Sequence, residues 1–305
     1  MLQVSDRLVT RGGDAYDPLA NKSLLYYAKN ALVAMSYTGL AYLDGVPTDQ
    51  WIAEQLVGRS LRDSSRPGMM GYYDIQPLEI GQALSLLCDR LHRVFSNMPS
   101  PGFPTNIVVA GWKWKRRRSL PLLATVRQVS TLGDFDIEHS LSRYWLHQLA
   151  PDGSHRLCLA AAPLPNIDRA ELRCTMDRLK SGSPESFAKA LASTIRQVSE
   201  RLSVVGPHCM SVFLPPPTQD SVRIRFLPLS THFASTTSSE HTEIMPVAYS
   251  PWIIGHRLLV APSLMAGGET FVDLGPIRVS LMSPSLTGRG ITYMMSSQRR
   301  LPPPR

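Results

Sequence analysis

The chain has little cysteine: four in 305 residues (Cys88, Cys158, Cys174 and Cys209), widely spaced and with no CxxC pair. That scarcity excludes a disulfide framework or a cysteine-rich zinc site, and it fits thiols used as small core residues in a reducing compartment. Apolar runs of membrane-spanning length are lacking, and so is the charged segment plus short apolar core of a secretory signal. A cytoplasmic location without a membrane partner is therefore expected. Internal repeats are absent. The Gly12-Gly13 and Gly267-Gly268 pairs lack the following spacing of a dinucleotide or phosphate-binding loop, so they read as turns. His139, His147 and His155 recur every eight residues without nearby acidic or cysteine partners, which does not make a metal site. No metal or other cofactor is expected.

Apolar content is near the globular average, at 43%, which excludes wholesale disorder. The length suits one large domain, or one domain with an extension. The net charge of +8 invites a nucleic-acid reading until the charge is located. Lys113, Lys115, Arg116, Arg117 and Arg118 form one cluster, and Arg299, Arg300 and Arg305 a second in the tail. Without those eight cations the rest of the chain is neutral. With Trp112 and Trp114 interleaved, the first cluster could stack bases or hold phosphates. The simpler reading is a hairpin, NIVVAGWKWK turning at KRRRS into LPLLATV, with a solvated cationic tip. Nucleic acid is accordingly not the expected partner.

What is present, and organises the rest, is the stretch from Ser5 to Trp51. An Asp6-Arg7 pair sits inside an apolar, β-prone run, LQVSDRLVT. A polar loop follows, then Lys22 enters a second run, SLLYYAKN, and a third, ALVAMSYTG, ends at Gly39. This order places Val4–Thr10, Leu24–Lys29 and Leu32–Tyr37 as neighbouring strands of one sheet, with Asp6 and Lys22 at corresponding ends. Charged groups on such strands need partners, because a lone buried charge is costly. A structural ion pair is one reading of the two residues; a functional site is the other.

SDRLVT, Asn21-Lys22 sixteen residues beyond Asp6, and a strand ending YTGLA together resemble the proteasome β-subunit branch of the N-terminal-nucleophile hydrolases. In that family an N-terminal Thr opens the first strand, an Asp lies in an S-D-x-R-like turn, and a Lys opens a later strand at the spacing seen here. The resemblance implies supporting catalytic roles for Asp6 and Lys22, and a substrate groove bordered by Ser36, Tyr37, Thr38 and Gly39. By their own chemistry those hydroxyls could equally serve only to bond the turn. Five residues precede Asp6, too few for the family's first strand, and neither Leu2 nor Gln3 could serve as the nucleophile. The expectation is a domain lacking its first strand. Two functions stay open: a peptidase or amidohydrolase whose terminal nucleophile is absent from this chain, and a catalytically inert proteasome-like scaffold or binding subunit. The first implies a peptide or amide substrate, and both are compatible with a homo-oligomer.

Beyond Trp51, helical spacing predicts a helix over residues 48–57, with Thr48 as N-cap and Gly58 as its stop. A second is predicted over 77–98, a third over NIDRAELRCTMDRLKSG, and a fourth from Ser183 to Leu202 capped by Ser183 with Pro184 in its first turn. HRLCLAAAPLP, VVGPHCMSVFLP and SVRIRFLPL read as strands. Two early helices, two late ones and strand pairs between predict an α+β fold, a four-layer αββα sandwich like that of the N-terminal-nucleophile hydrolases. The domain is expected over 1–228, a C-terminal extension of short strands and loops over 229–295, and a disordered tail over 296–305. Within the extension, STHFASTTSSEHTE is expected to be mobile.

Overall fold

ALVAMSYT, residues 31–38, is apolar on both of its alternating faces, the pattern of a strand covered from two sides. It lies in the interior of the largest sheet, with seven of its eight residues buried. The structure is a computed structural model. It describes residues 1–11, 14–17, 20–61, 70–72, 75–98, 105–115, 118–129, 134–139, 183–215, 222–229, 247–255, 258–262, 264–266, 269–273 and 278–281.

In chain order the elements begin with β1 (Leu2–Asp6), β2 (Val9–Arg11), β3 (Asp14–Asp17), β4 (Ser23–Ala28), β5 (Ala31–Thr38), β6 (Tyr42–Leu43) and β7 (Val46–Pro47). Then come α1 (Thr48–Val57), β8 (Met70–Tyr72), α2 (Ile80–Ser96), β9 (Asn106–Lys115), β10 (Arg118–Gln128), β11 (Phe135–His139) and α3 (Pro184–Ser199). The remaining strands are β12 (Cys209–Phe213), β13 (Val222–Leu227), β14 (Val247–Tyr249), β15 (Trp252–Gly255), β16 (Leu258–Val260), β17 (Leu264–Ala266), β18 (Glu269–Asp273) and β19 (Arg278–Leu281).

Two sheets dominate this mixed α/β fold. The larger has eight strands in the order β11-β10-β9-β5-β4-β15-β16-β8, antiparallel except where β15 runs parallel to β4. The smaller has five, β1-β12-β13-β18-β19, antiparallel throughout. Helices α1 and α2 cover one face of the large sheet: Trp51, Ile52, Leu84, Leu87 and Leu91 pack with Leu24, Tyr26, Val33, Met35 and Val109. The opposite face contributes Leu25, Leu32, Ala34 and Ile253, which pack with Met210, Val212, Ile224 and Phe226 of the five-stranded sheet. Alternation along β13 turns Arg223 and Arg225 the other way, and there Arg225 pairs with Glu185 of α3 at 2.6 Å. No helix among the described residues is long and apolar enough to cross a membrane.

Several of these expectations differ from the structure. Val4–Thr10 is not one strand, nor a neighbour of β4. β1 stops at Asp6 and pairs with β12 in the smaller sheet, while Val9–Arg11 turns to pair with β3. The reason is local: the Asp6 carboxylate accepts from the Leu8 amide at 3.2 Å, a side-chain bond that competes with the strand ladder and ends it. Thr48 does not cap α1. Pro47 holds the cap position without a side-chain bond, and the Thr48 hydroxyl donates to Leu40 O at 2.7 Å instead. Helix α2 starts at Ile80, where Glu79 and Gln82 form a capping box. Gly58 does close α1 in the left-handed region at φ 76°, and Ser183 caps α3 by accepting from Ser186 N.

Within the stretch 229–295, expected as an extension of short strands and loops, β15 and β16 pair into the large sheet, β18 and β19 into the small one, and β14 with β17. The third predicted helix, the HRLCLAAAPLP strand, His147, His155, Cys158, Cys174, both glycine pairs, residues 230–243 and the 296–305 tail lie outside the described residues.

Candidate functional site

Asp6 is the last residue of β1 in the small sheet, and Lys22 directly precedes β4 in the large one. The Lys22 ammonium donates to both carboxylate oxygens of Asp6, at 2.9 and 3.1 Å. The pair therefore ties one sheet to the other across the interior edge of the fold. Asp6 Oδ2 accepts twice more, from the amides of Leu8 at 3.2 Å and Gly206 at 3.1 Å. Gly206 can come that close only as glycine: a Cβ there would stand 2.5 Å from Leu8 Cβ and 3.1 Å from Leu8 N. With side-chain exposures of 12% for Lys22 and 20% for Asp6, the pair is shielded yet still reachable from solvent.

A line of hydroxyls runs alongside. Ser5 Oγ lies 2.8 Å from Ser23 Oγ, which lies 3.1 Å from Ser36 Oγ on the paired strand. Of the expected groove residues, Ser36 thus joins this line, and the Tyr37 amide donates to Lys22 O at 3.3 Å. Tyr37 is buried, with its hydroxyl 3.4 Å from Asn21 O, and burial pushes that phenol well above its ordinary range. Thr38 pairs with Asn106 at the strand exit, and Gly39 turns the chain away at φ 106°.

A second cluster lies next to the first, and sequence reasoning missed most of it. Arg7 is wholly buried; its Nη2 donates to Tyr249 O at 2.8 Å and its Cζ sits 5.8 Å from the centre of the Phe226 ring. Burial lowers its guanidinium to about 10 against the opposing fields of Asp17, Asp49 and Asp6. Asp49, in the first turn of α1, accepts from Asn21 Nδ2 at 2.8 Å and Trp252 Nε1 at 3.1 Å, and burial raises its carboxyl. The sequence signal for Arg7 was a cation inside an apolar run. For Asp49 it was only a helix-start acid, and for Trp252 there was none. Between these groups opens a cavity of about 290 Å³, lined among others by Asp17, Asn21, Tyr37, Tyr42, Asp49 and Trp252.

The loop that reaches Asp6 is itself anchored. Arg196 of α3 donates to the carbonyls of Pro207 at 3.1 Å and Pro228 at 2.8 Å, while His208 Nδ1 accepts from Leu229 N at 3.2 Å. Burial first, then the Arg196 and Arg7 charges, lower the His208 pKa. The unfolded chain takes up that proton first, near 6.5, so stability falls as pH drops through 6.5 toward the lower folded value. Denaturation midpoints at pH 7.5 and 5.5 should show this loss shrink in His208→Gln. An unchanged pH dependence would mean that His208 titrates alike folded and unfolded.

The cationic hairpin reads differently from the site. β9 and β10 pair from Lys115↔Arg118 inward. Trp112 Nε1 donates to Leu214 O at 3.0 Å, and the Trp114 ring packs 5.5 Å from Tyr27. Both indoles are engaged by the core rather than offered as stacking platforms. Lys115 is exposed, and Arg116 and Arg117 lie outside the described residues.

No family model matches the chain. No curated protein matches it either. Among solved structures, Anbu (ancestral beta-subunit) from Yersinia bercovieri is a weak neighbour, 14% identical with a TM-score of 0.39, over 69% of this chain and 75% of that chain.

Proposed function

We propose that the chain is a proteasome-like N-terminal-nucleophile amidohydrolase, a four-layer αββα sandwich whose Asp6–Lys22 pair serves a terminal Thr, Ser or Cys. The observation that carries the reading is the geometry of that pair: an ammonium held by a carboxylate that is itself fixed by two backbone amides, at the junction of two sheets. Its residue types and spacing are those of the resemblance drawn from the sequence.

The chemistry is that of a residue with nucleophile and base in one. The side-chain oxygen or sulfur attacks the amide carbonyl, and its proton passes to the residue's own α-amine and then to the leaving amine. Water completes the hydrolysis of the acyl-enzyme. A nearby ammonium disfavours protonation of the α-amine and keeps it available as a base near neutral pH. Asp6 positions Lys22, and the Ser5–Ser23–Ser36 line offers hydroxyls beside it.

Peptide hydrolysis by the protein as its cell matures it tests the reading. Lys22→Met is expected to lower turnover by about 10²–10⁴-fold, the range for an acid–base group. Because Lys22→Met also strands Asp6, Lys22→Arg serves beside it. Arginine keeps the charge pair but holds its proton permanently in a wider, planar head, so the fold should persist while turnover drops. Full activity in Lys22→Arg and Lys22→Met would contradict the role, and leave the pair as a structural tie in an inert scaffold.

A further inference from the structure

We propose that the connection from α3 to β12 is a proton-operated latch on the Asp6–Lys22 pair, shut while the His208 ring is neutral and released when the ring becomes a cation. The latch itself needs no catalytic activity; that it governs turnover rests on the hydrolase reading. Three observations converge on it.

The first is how the connection is held. Residues 200–208 run along the surface, with Arg201, Ser203 and Val204 exposed, and of them only Gly206 is buried. A segment with so little buried apolar surface opens at a lower cost than the sheets beside it. Three adjacent residues pin it. Gly206 N donates to Asp6 Oδ2 at 3.1 Å, Pro207 O accepts from Arg196 Nε at 3.1 Å, and His208 Nδ1 accepts from Leu229 N at 3.2 Å.

The second is what a proton on His208 changes. Nδ1 accepts only while it carries no proton, so an imidazolium gives up the Leu229 bond. The same proton places a cation among cations, because the charges that bear on the ring are those of Arg196 in α3 and Arg7 beyond β1. Phe226 of β13 faces it with a ring 6.2 Å away, and burial pushes the thiol of Cys209 in β12 up to about 12, which leaves it neutral. Arg196 cannot swing clear without leaving the carbonyls of Pro207, Leu227 and Pro228. The repulsion therefore falls on the pin that holds the connection down.

The third is the link to the ion pair. Asp6 Oδ2 takes the amides of both Leu8 and Gly206 and one bond from Lys22. Release of Gly206 removes one of the two amides that fix the carboxylate, and Lys22 is then held by a less constrained partner. On the hydrolase reading, turnover falls with it on the acid side.

The test is amide hydrogen exchange of the full chain at pH 7.5 and 5.0, resolved residue by residue by NMR and corrected for the intrinsic effect of pH. Protection of the Gly206 amide should fall about tenfold at the lower pH, the factor that corresponds to one net hydrogen bond, while β12 keeps its protection. In His208→Gln, whose side-chain oxygen can accept from Leu229 without titrating, the fall should vanish. The parent alone supplies a second check: loss of protection should track the titration of the His208 ring. Protection that ignores pH, a loss shared by all of β12, an equal loss in His208→Gln, or a loss that does not follow the ring would each overturn the inference. A latch that opens in a protein that hydrolyses nothing would remove the hydrolase reading and leave the device. Hydrolysis by a protein whose Gly206 amide ignores pH would do the reverse.

Discussion

Arg7→Met is expected to destabilise the protein by about 3–5 kcal/mol, the cost of removing one partner from a buried charge cluster. Arg7 has no exposed surface, yet it works on three parts of the fold at once. Its guanidinium donates to Tyr249 O, lies over Phe226, and balances Asp17, Asp49 and Asp6. Methionine fills the space of the side-chain stem but takes the guanidinium's field away from the buried Asp49. Urea unfolding of parent and variant measures the difference. Part of the loss should be recovered as the pH is lowered and Asp49, whose carboxyl burial raises, takes up a proton. A variant as stable as the parent at pH 7 would mean that the acids already carry protons in the native protein.

Gly111→Ala should cost about 3 kcal/mol or more, at the upper end of overpacking, because what the new methyl meets is backbone. Gly111 of β9 is registered opposite Val33 of β5. A Cβ there would collide with Leu32 O and lie 2.7 Å from Val33 Cα. Neither can rotate aside, so β5 and β9 must separate or slip. A slip by one residue would turn the apolar set of β5 to its wrong faces. Thermal denaturation with far-UV circular dichroism checks it. An unaffected midpoint would place β5 and β9 in a different register.

What was legible in the sequence was whatever a local pattern dictates. Gly58 and the Ser183-Pro184 start mark helix ends because caps are decided within a few residues. The β9–β10 hairpin was legible because both strands and their turn are contiguous. The meeting of Asp6 and Lys22 could be anticipated from their spacing and from the need of each charge for a partner. Their distribution over two sheets could not, because it depends on Cys209–Phe213, some 200 residues downstream, taking β1 as its neighbour. The place of β15 was hidden for the same reason: a strand running parallel to β4 from residue 252 leaves no short-range signal. The cavity escaped because Asp49 and the Tyr249–Trp252 stretch lie some 200 residues apart and are joined only by the fold. Apolar runs reported that these residues are buried, but not what they are buried against.

Mass spectrometry of the matured protein after reaction with an electrophilic peptide probe tests the proposed terminal nucleophile. One covalent adduct is expected, on the terminal Thr, Ser or Cys, present in the parent and strongly reduced in a folded Lys22→Arg variant. A protein that takes up no label, or one labelled equally well without Lys22, would contradict it.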